Sequence, residues 1–224
     1  MLITDSITLS TDKFNAEGDV LFFPGNTIIC HLDRQSSLFN KLVKFYDVLE
    51  SFNNHNQIIA QLPVDSYHMT IFDSTSKIEG KFNFPKGKGI ESLDDSNTFI
   101  INALKESKLT TAPKEMYVES IKFASGTIGL GLVEKDLVKK PLRHLRDKLS
   151  QLTNIKHPGH DEYKFHITLA YFCKIPNEKQ NDELTMMLSG FYDELTQEDK
   201  SVTLGKAEFC TFENMYKFNP IYMF

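Results

Sequence analysis

The chain carries one tetrapeptide pattern twice: His68-Met69-Thr70-Ile71 and His166-Ile167-Thr168-Leu169, both His-x-Thr-aliphatic. Each copy sits in a run of aromatic and aliphatic residues, 67–72 and 165–171. Side chains on a strand alternate between faces, so residues two apart point the same way, roughly 6.6–6.8 Å along the chain. Read as a strand, the first run puts His68 and Thr70 on one face and Tyr67, Met69 and Ile71 on the other. The second repeats this, with His166, Thr168 and Ala170 together and Phe165, Ile167, Leu169 and Tyr171 turned away. A strand with an apolar face and a His-Thr face is a wall for a polar site, and two such walls could enclose one cleft.

The chemistry available to that pair is proton transfer. An imidazole with an ordinary pKa near 6.5 exists in both forms close to neutrality. One histidine can therefore take a proton from a nucleophile while the other gives one to a leaving group. A threonine on the same face adds a hydroxyl donor. Two His and two Thr would surround a tetrahedral phosphate with four donors and stabilise developing charge without a metal. The alternative is that both histidines merely hydrogen-bond within a half-polar sheet face. That reading leaves the repeated Thr unexplained.

The surrounding pattern must position these walls. Residues 27–32 read as a strand after a weaker run at 20–23 and the Pro24-Gly25-Asn26 break. Ser36 or Ser37 caps a helix whose Leu38, Leu42, Phe45, Leu49 and Phe52 form one apolar stripe, with Asn53-Asn54 as its stop. A short strand at 57–62 precedes the first motif. Residues 74–96 lack periodicity and read as a surface loop, and 98–109 read as a helix. Residues 116–124 and 127–133 are expected as a hairpin turned at Gly126. A helix is expected over 136–152, with Leu137, Leu142, Leu145, Leu149 and Leu152 on one side and Pro141 in its first turns, where proline is tolerated. After the second motif come a helix at 182–196 and closing strands at 201–212 and 216–224. The order suggests a duplicated α/β unit, the two motifs lying almost half the chain apart.

Composition narrows the function classes. With 224 residues, 41% hydrophobic and 25% charged, the chain can bury a core. A net charge of -5 argues against charge-driven gripping of long nucleic acid, though not against a nucleotide or an RNA end. Cys30, Cys173 and Cys210 are far apart, without a CxxC pair, so neither a disulfide framework nor a zinc site is indicated. No signal peptide or membrane-length apolar window is evident, and a cytoplasmic location is expected, with non-classical secretion left open.

The paired His-Met-Thr-Ile and His-Ile-Thr-Leu resemble the signature of the two-histidine (2H) phosphoesterase superfamily, which includes RNA 2′-5′ ligase-like proteins and 2′,3′-cyclic phosphodiesterases. Pro24-Gly25-Asn26-Thr27 and the run at 165–171 are similar to a less-characterised bacterial and fungal branch. The resemblance implies an α+β fold, a bilobal duplicated unit with two antiparallel sheets flanking a central cleft. It would span 19–224 as a single domain after an N-terminal arm at 1–18. His68 and His166 would be the acid–base pair, with Thr70 and Thr168 holding phosphate oxygens and no metal or cofactor. The expected reaction is hydrolysis of a cyclic phosphate or 2′-5′ phosphodiester in a nucleotide, cyclic nucleotide or short RNA end. A module that binds such a nucleotide unchanged is the alternative. Neither long nucleic acid nor membrane is expected as a partner.

Lesser candidates surround this core. Lys164 shares the parity of His166 and could touch a phosphate; a solvated strand-end lysine is the other reading. His31 ends a strand beside the first helix and could reach the ligand or be satisfied by backbone. Tyr67, Tyr163 and Phe165 could stack on a base, although Tyr67 and Phe165 have the parity of the buried face. His157-Pro158-Gly159-His160-Asp161 invites a metal reading but lies in a loop without Cys partners. Gly126, Gly129 and Gly131 fit a hairpin better than a dinucleotide fingerprint, which precedes a helix.

Overall fold

The computed structural model describes residues 2–4, 6–111, 114–124, 126–197 and 200–224. Its strands are β1 (Leu2–Thr4), β2 (Gly25–His31), β3 (Ile59–Gln61), β4 (His68–Asp73), β5 (Lys77–Ile78), β6 (Lys81–Phe82), β7 (Lys114–Ala124), β8 (Thr127–Glu134), β9 (His166–Phe172), β10 (Ser201–Leu204), β11 (Glu208–Asn214) and β12 (Lys217–Met223). Its helices are α1 (Ser37–Asn56), α2 (Leu93–Ser107), α3 (Pro141–Thr153) and α4 (Glu178–Gln197). The fold is α+β, as expected: a curled, mostly antiparallel sheet with strand order β1-β7-β8-β9-β4-β2-β11-β12, to which β10 and β3 add at β7 and β9.

The sheet has two flanks that meet where β4 passes β9, with Met69↔Ile167 as the register pair between them. Two helices pack on each flank. Helices α1 and α4 pack together over β3, β7 and β1, with Phe45 and Phe191 stacked at 3.8 Å. Helices α2 and α3 cover β2 and β4. The halves of the chain are thus interleaved. α1 and β3, from the first half, sit on the flank of β9, whereas α3, β11 and β12, from the second, complete the flank of β4.

Local chemistry accounts for the element ends. Ser36 accepts a hydrogen bond from the Phe39 amide and caps α1, which closes at Gln57 in the left-handed region. Helix α2 begins five residues before the expected 98 because Ser92 accepts from the Asp95 amide, and Asp94 and Asp95 fill its first turn. Helix α3 starts at Pro141, later than the expected 136. Pro lacks an amide hydrogen and suits the first helical position, whereas residues 136–139 form a separate turn. Leu137 accordingly leaves the apolar stripe and is 64% exposed. Residues 74–96 are not wholly loop: β5 and β6 make a small hairpin through Glu79 and Gly80, both at positive φ.

The N-terminal arm lies on the body of the protein, apart from Met1 and Asp5, which fall outside the described residues. β1 adds in parallel to β7, and Phe14 is buried against Tyr171 with ring centroids 5.1 Å apart. Among the described residues, no helix is long and apolar enough to cross a membrane.

Candidate active site

The two motif strands run antiparallel and are centred on Met69 and Ile167, the residue between His and Thr in each motif. Continuing that register sets His68 across from Thr168 and Thr70 across from His166. Met69 and Ile167 are fully buried on the opposite face. His68, Thr70, His166 and Thr168 together line one cleft of about 180 Å3. Period-two alternation, read from the sequence, therefore brings all four to one place.

Both histidines are held in the same way. The Nδ1 of His68 lies 2.6 Å from the Ser66 carbonyl, and that of His166 lies 2.8 Å from the Lys164 carbonyl. A carbonyl only accepts, so the hydrogen of each neutral ring sits on Nδ1. Nε2, at the far side of each ring, is left as a bare lone pair for the cleft. Burial pushes the His68 pKa down to about 4 against the opposing hydrogen bond from Ser66, with His31 and His166 adding to the depression. Burial also lowers that of His166. Burial thus favours two neutral imidazoles.

Strict alternation fails just after each threonine. Opposite β2, two residues of β4 replace one, so that Ile29 faces Thr70 but Ile28 faces Phe72 and Ile71 is extra. β9 does the same opposite β8: Gly129 faces Thr168, Ile128 faces Ala170, and Leu169 is extra. Each bulge shifts the parity of the residues beyond it. Asp73 and Tyr171, each five residues past its histidine, consequently line the cleft. This corrects the expectation that Ala170 shares the His166 face and Tyr171 turns away; Ala170 is fully buried.

Lys13, which the sequence pattern did not single out, enters the cleft from the arm. Its Nζ lies 5.2 Å from the Tyr171 ring centroid and 5.3 Å from that of Phe23. Tyr171 foremost, with Asp12 and Asp73, holds its pKa above the ordinary lysine value against the cost of burial. No local pattern marks Lys13, because the chain delivers it to β9 from more than 150 residues away.

Tyr163 lines the cleft together with Thr70, and burial raises its pKa, so its hydroxyl stays protonated. Beneath its ring lies Arg146 of α3, 1% exposed, with its guanidinium carbon 3.8 Å from the ring centroid. Arg146 Nη1 donates to the Ile71 carbonyl and lies 3.9 Å from Asp73 Oδ2. Arg143 donates to the carbonyls of His160 and Tyr163 and clips their loop to α3. At the other rim, Asn26 accepts from the Thr75 amide and donates to Asn97 Oδ1, which tethers the loop that brings Ser76 to the cleft. The Pro24-Gly25-Asn26-Thr27 segment thus has a local task. A Cβ on Gly25 would approach Thr75 O to 2.7 Å, so glycine permits the tether.

The remaining candidates lie apart from the cleft. His31 pairs with Glu208 at 2.9 Å and lines a separate pocket of about 520 Å3 behind Phe218, whose ring lies 4.2 Å from that of His68. Lys164 is exposed and faces a groove on the β8 side, where its backbone carbonyl holds His166. Tyr67 and Phe165 are core residues, 2% and 5% exposed. Among the described residues, Asp147, His160 and Asp161 converge within 4.8 Å. There His160 Nε2 lies 3.0 Å from Asp147 and Lys156 pairs with Asp161 at 2.8 Å. These contacts fasten the 157–161 loop.

Known proteins place this arrangement. No curated protein matches the chain. A conserved protein of unknown function from Agrobacterium tumefaciens str. C58 has a similar structure, with a TM-score of 0.81 and 23% identity over 94% of this chain and 90% of that one. Escherichia coli LigT in its apo form shares the general fold, with a TM-score of 0.51 and 10% identity over 91% of this chain and 98% of that one. The family model named 2H phosphodiesterase, described as a domain of unknown function (DUF1868), matches residues 13–126, just over half of the chain and including the first motif. This chain belongs to the 2H phosphodiesterase family, and a phosphoesterase-type activity is what that membership indicates.

Proposed function

We propose that the protein is a metal-independent phosphodiesterase that opens a cyclic phosphate or a 2′-5′ phosphodiester in a nucleotide or short RNA end. One observation carries this reading: two neutral histidines, each fixed by Nδ1 on the carbonyl two residues earlier, offer bare Nε2 atoms to one cleft beside two threonines. A phosphodiester entering the cleft brings negative charge, which favours protonation of one imidazole. The neutral histidine takes a proton from water as it attacks phosphorus. The protonated one gives its proton to the departing ribose oxygen. The near-symmetry of the walls lets the orientation of the substrate choose which histidine plays which part.

Thr70 and Thr168 donate to the non-bridging oxygens, and the protonated Tyr163 lines the cleft beside them. Lys13 supplies a fixed positive charge where the transition state gathers negative charge, with Asp73 and Tyr171 keeping it protonated. The substrate range expected is small, given the net charge of -5.

The test is hydrolysis of 2′,3′-cyclic nucleotides and 2′-5′-linked dinucleotides with a chelator present. Wild type is compared with His68→Ala/His166→Ala and with Lys13→Met. Turnover by wild type, abolished in the double variant and reduced roughly 10²-fold in Lys13→Met, is the expected result. Full activity in the double variant would sink the proposal. Ligand binding without product at any pH would make the cleft a nucleotide-capturing module.

A further inference from the structure

The face bearing His166 and Thr168 does not end at β9. On β8 the residue opposite His166 is Gly131 and the one opposite Thr168 is Gly129. On β7 the next residues across are Ser120, facing Gly131, and Lys122, facing Gly129. Directly opposed residues of antiparallel strands project on the same side. Lys122 therefore rises from the catalytic face two strand spacings from Thr168, about 10 Å away, with glycine between them.

Both glycines clear this lane. A Cβ at Gly129 would come within 2.4 Å of the Ile167 carbonyl, and one at Gly131 within 2.3 Å of Ser120 Oγ. The lane opens into a groove of about 540 Å3 that shares Tyr163 with the catalytic cleft. Lys122, Lys140, Arg143 and Lys164 line it, against Glu119 and Glu134. The Glu134 carboxylate accepts from the Leu142 amide and is spent capping α3. The groove is thus net basic in a protein that is net acidic. Lys122 also opposes protonation of His166, so its charge is felt in the cleft.

We propose that this groove is a subsite for a second phosphate, one unit away from the phosphate being cleaved. The occupant is either a pyrophosphate on the same nucleotide or the neighbouring phosphodiester of a short oligonucleotide. The groove gives that phosphate lysines on a rigid sheet and a helix start, set beside the histidine whose backbone partner is Lys164. This inference rests on the phosphodiester reading of the cleft and sharpens its substrate class.

The test uses the full chain and product-like ligands, with affinities measured calorimetrically at low and raised ionic strength. Adenosine 2′-phosphate reports the cleft alone. 2′-Phosphoadenosine 5′-diphosphoribose adds a pyrophosphate, and a 2′-phosphorylated diadenosine adds a phosphodiester. At least one of the two extended ligands is expected to bind about tenfold tighter than adenosine 2′-phosphate, an advantage that shrinks with salt. Which ligand gains identifies the source of the second phosphate. The advantage should vanish in Lys122→Met/Lys140→Gly/Lys164→Ala and return when arginine replaces the three lysines. Lys140→Gly respects the left-handed backbone at that position. Equal affinities for adenosine 2′-phosphate and both extended ligands in wild type would overturn the subsite, as would an advantage surviving the triple substitution. Failure of every ligand to bind would overturn the cleft reading together with the groove.

Discussion

The β4 and β9 walls carry the same motif in different surroundings. Across from His68 stands His31, and across from Thr70 stands Ile29. Across from His166 and Thr168 stand glycines. The β4 wall is closed: Phe218 packs on His68, and the His31–Glu208 pair lies beyond it in another pocket. The β9 wall is open and continues to Lys122 and the basic groove. Equal motifs can thus share one proton-transfer task while their neighbours divide the rest. Burial lowers the pKa of both histidines, while the β9 flank alone leaves room and positive charge for more of the ligand.

The strongest challenge to equal roles is removal of each histidine separately. His68→Ala and His166→Ala are each expected to lower kcat/KM by about 10²–10⁴-fold, with the double variant losing far less than the product of the two. Steady-state rates on a 2′,3′-cyclic nucleotide measure this. A wall whose histidine proves dispensable would end the symmetry.

The open wall should be intolerant of even one methyl group. Gly129→Ala drives a Cβ against the Ile167 carbonyl, and backbone cannot yield as a side chain does. We expect a loss of about 1–3 kcal/mol in urea unfolding, from overpacking at a rigid contact. Ile29→Ala, at the corresponding place beside Thr70, should cost about 2–5 kcal/mol for the opposite reason, a cavity in place of a buried side chain. A cost-free Gly129→Ala would show that the close approach does not constrain β8.

Acid should expose the closed wall. His68 titrates at about 4 in the folded protein and at 6.5 ordinarily, so between those values the unfolded chain binds more protons. Stability should be fully present above 6.5 and fall as pH drops towards 4, with His166 acting in the same direction. Unfolding midpoints across that window should have a shallower slope in His68→Gln. An unchanged slope would mean that His68 is not buried in its neutral form.

The smallest effect is the most local. Phe218→Ala removes the ring beside His68 and should move its pKa upward towards 6.5, as read by ring-proton NMR titration, while the His166 titration stays in place. A shift of both histidines together would indicate that the walls are coupled more tightly than their surroundings suggest.

The walls follow from local pattern alone. His-x-Thr at strand spacing puts its two polar groups on one face wherever the strand lies, and buried Met69 and Ile167 make that face the only one open to solvent. Heptad-like stripes and serine caps likewise specified α1, and glycine at 126 fitted the β7–β8 turn, because these signals act within a few residues. Element starts that depend on a cap, Ser92 for α2 and Pro141 for α3, escaped the apolar periodicity, which put those ends at 98 and 136. Everything that depends on pairing across the chain lay beyond local pattern. The bulges after Thr70 and Thr168 exist only relative to β2 and β8, so Asp73 and Tyr171 could not be placed in the cleft by alternation. Lys13 meets Tyr171, and Lys122 reaches the lane beside His166, through contacts between segments remote in sequence. Period and capping are local properties of a chain, whereas register, bulge and convergence are properties of its partners.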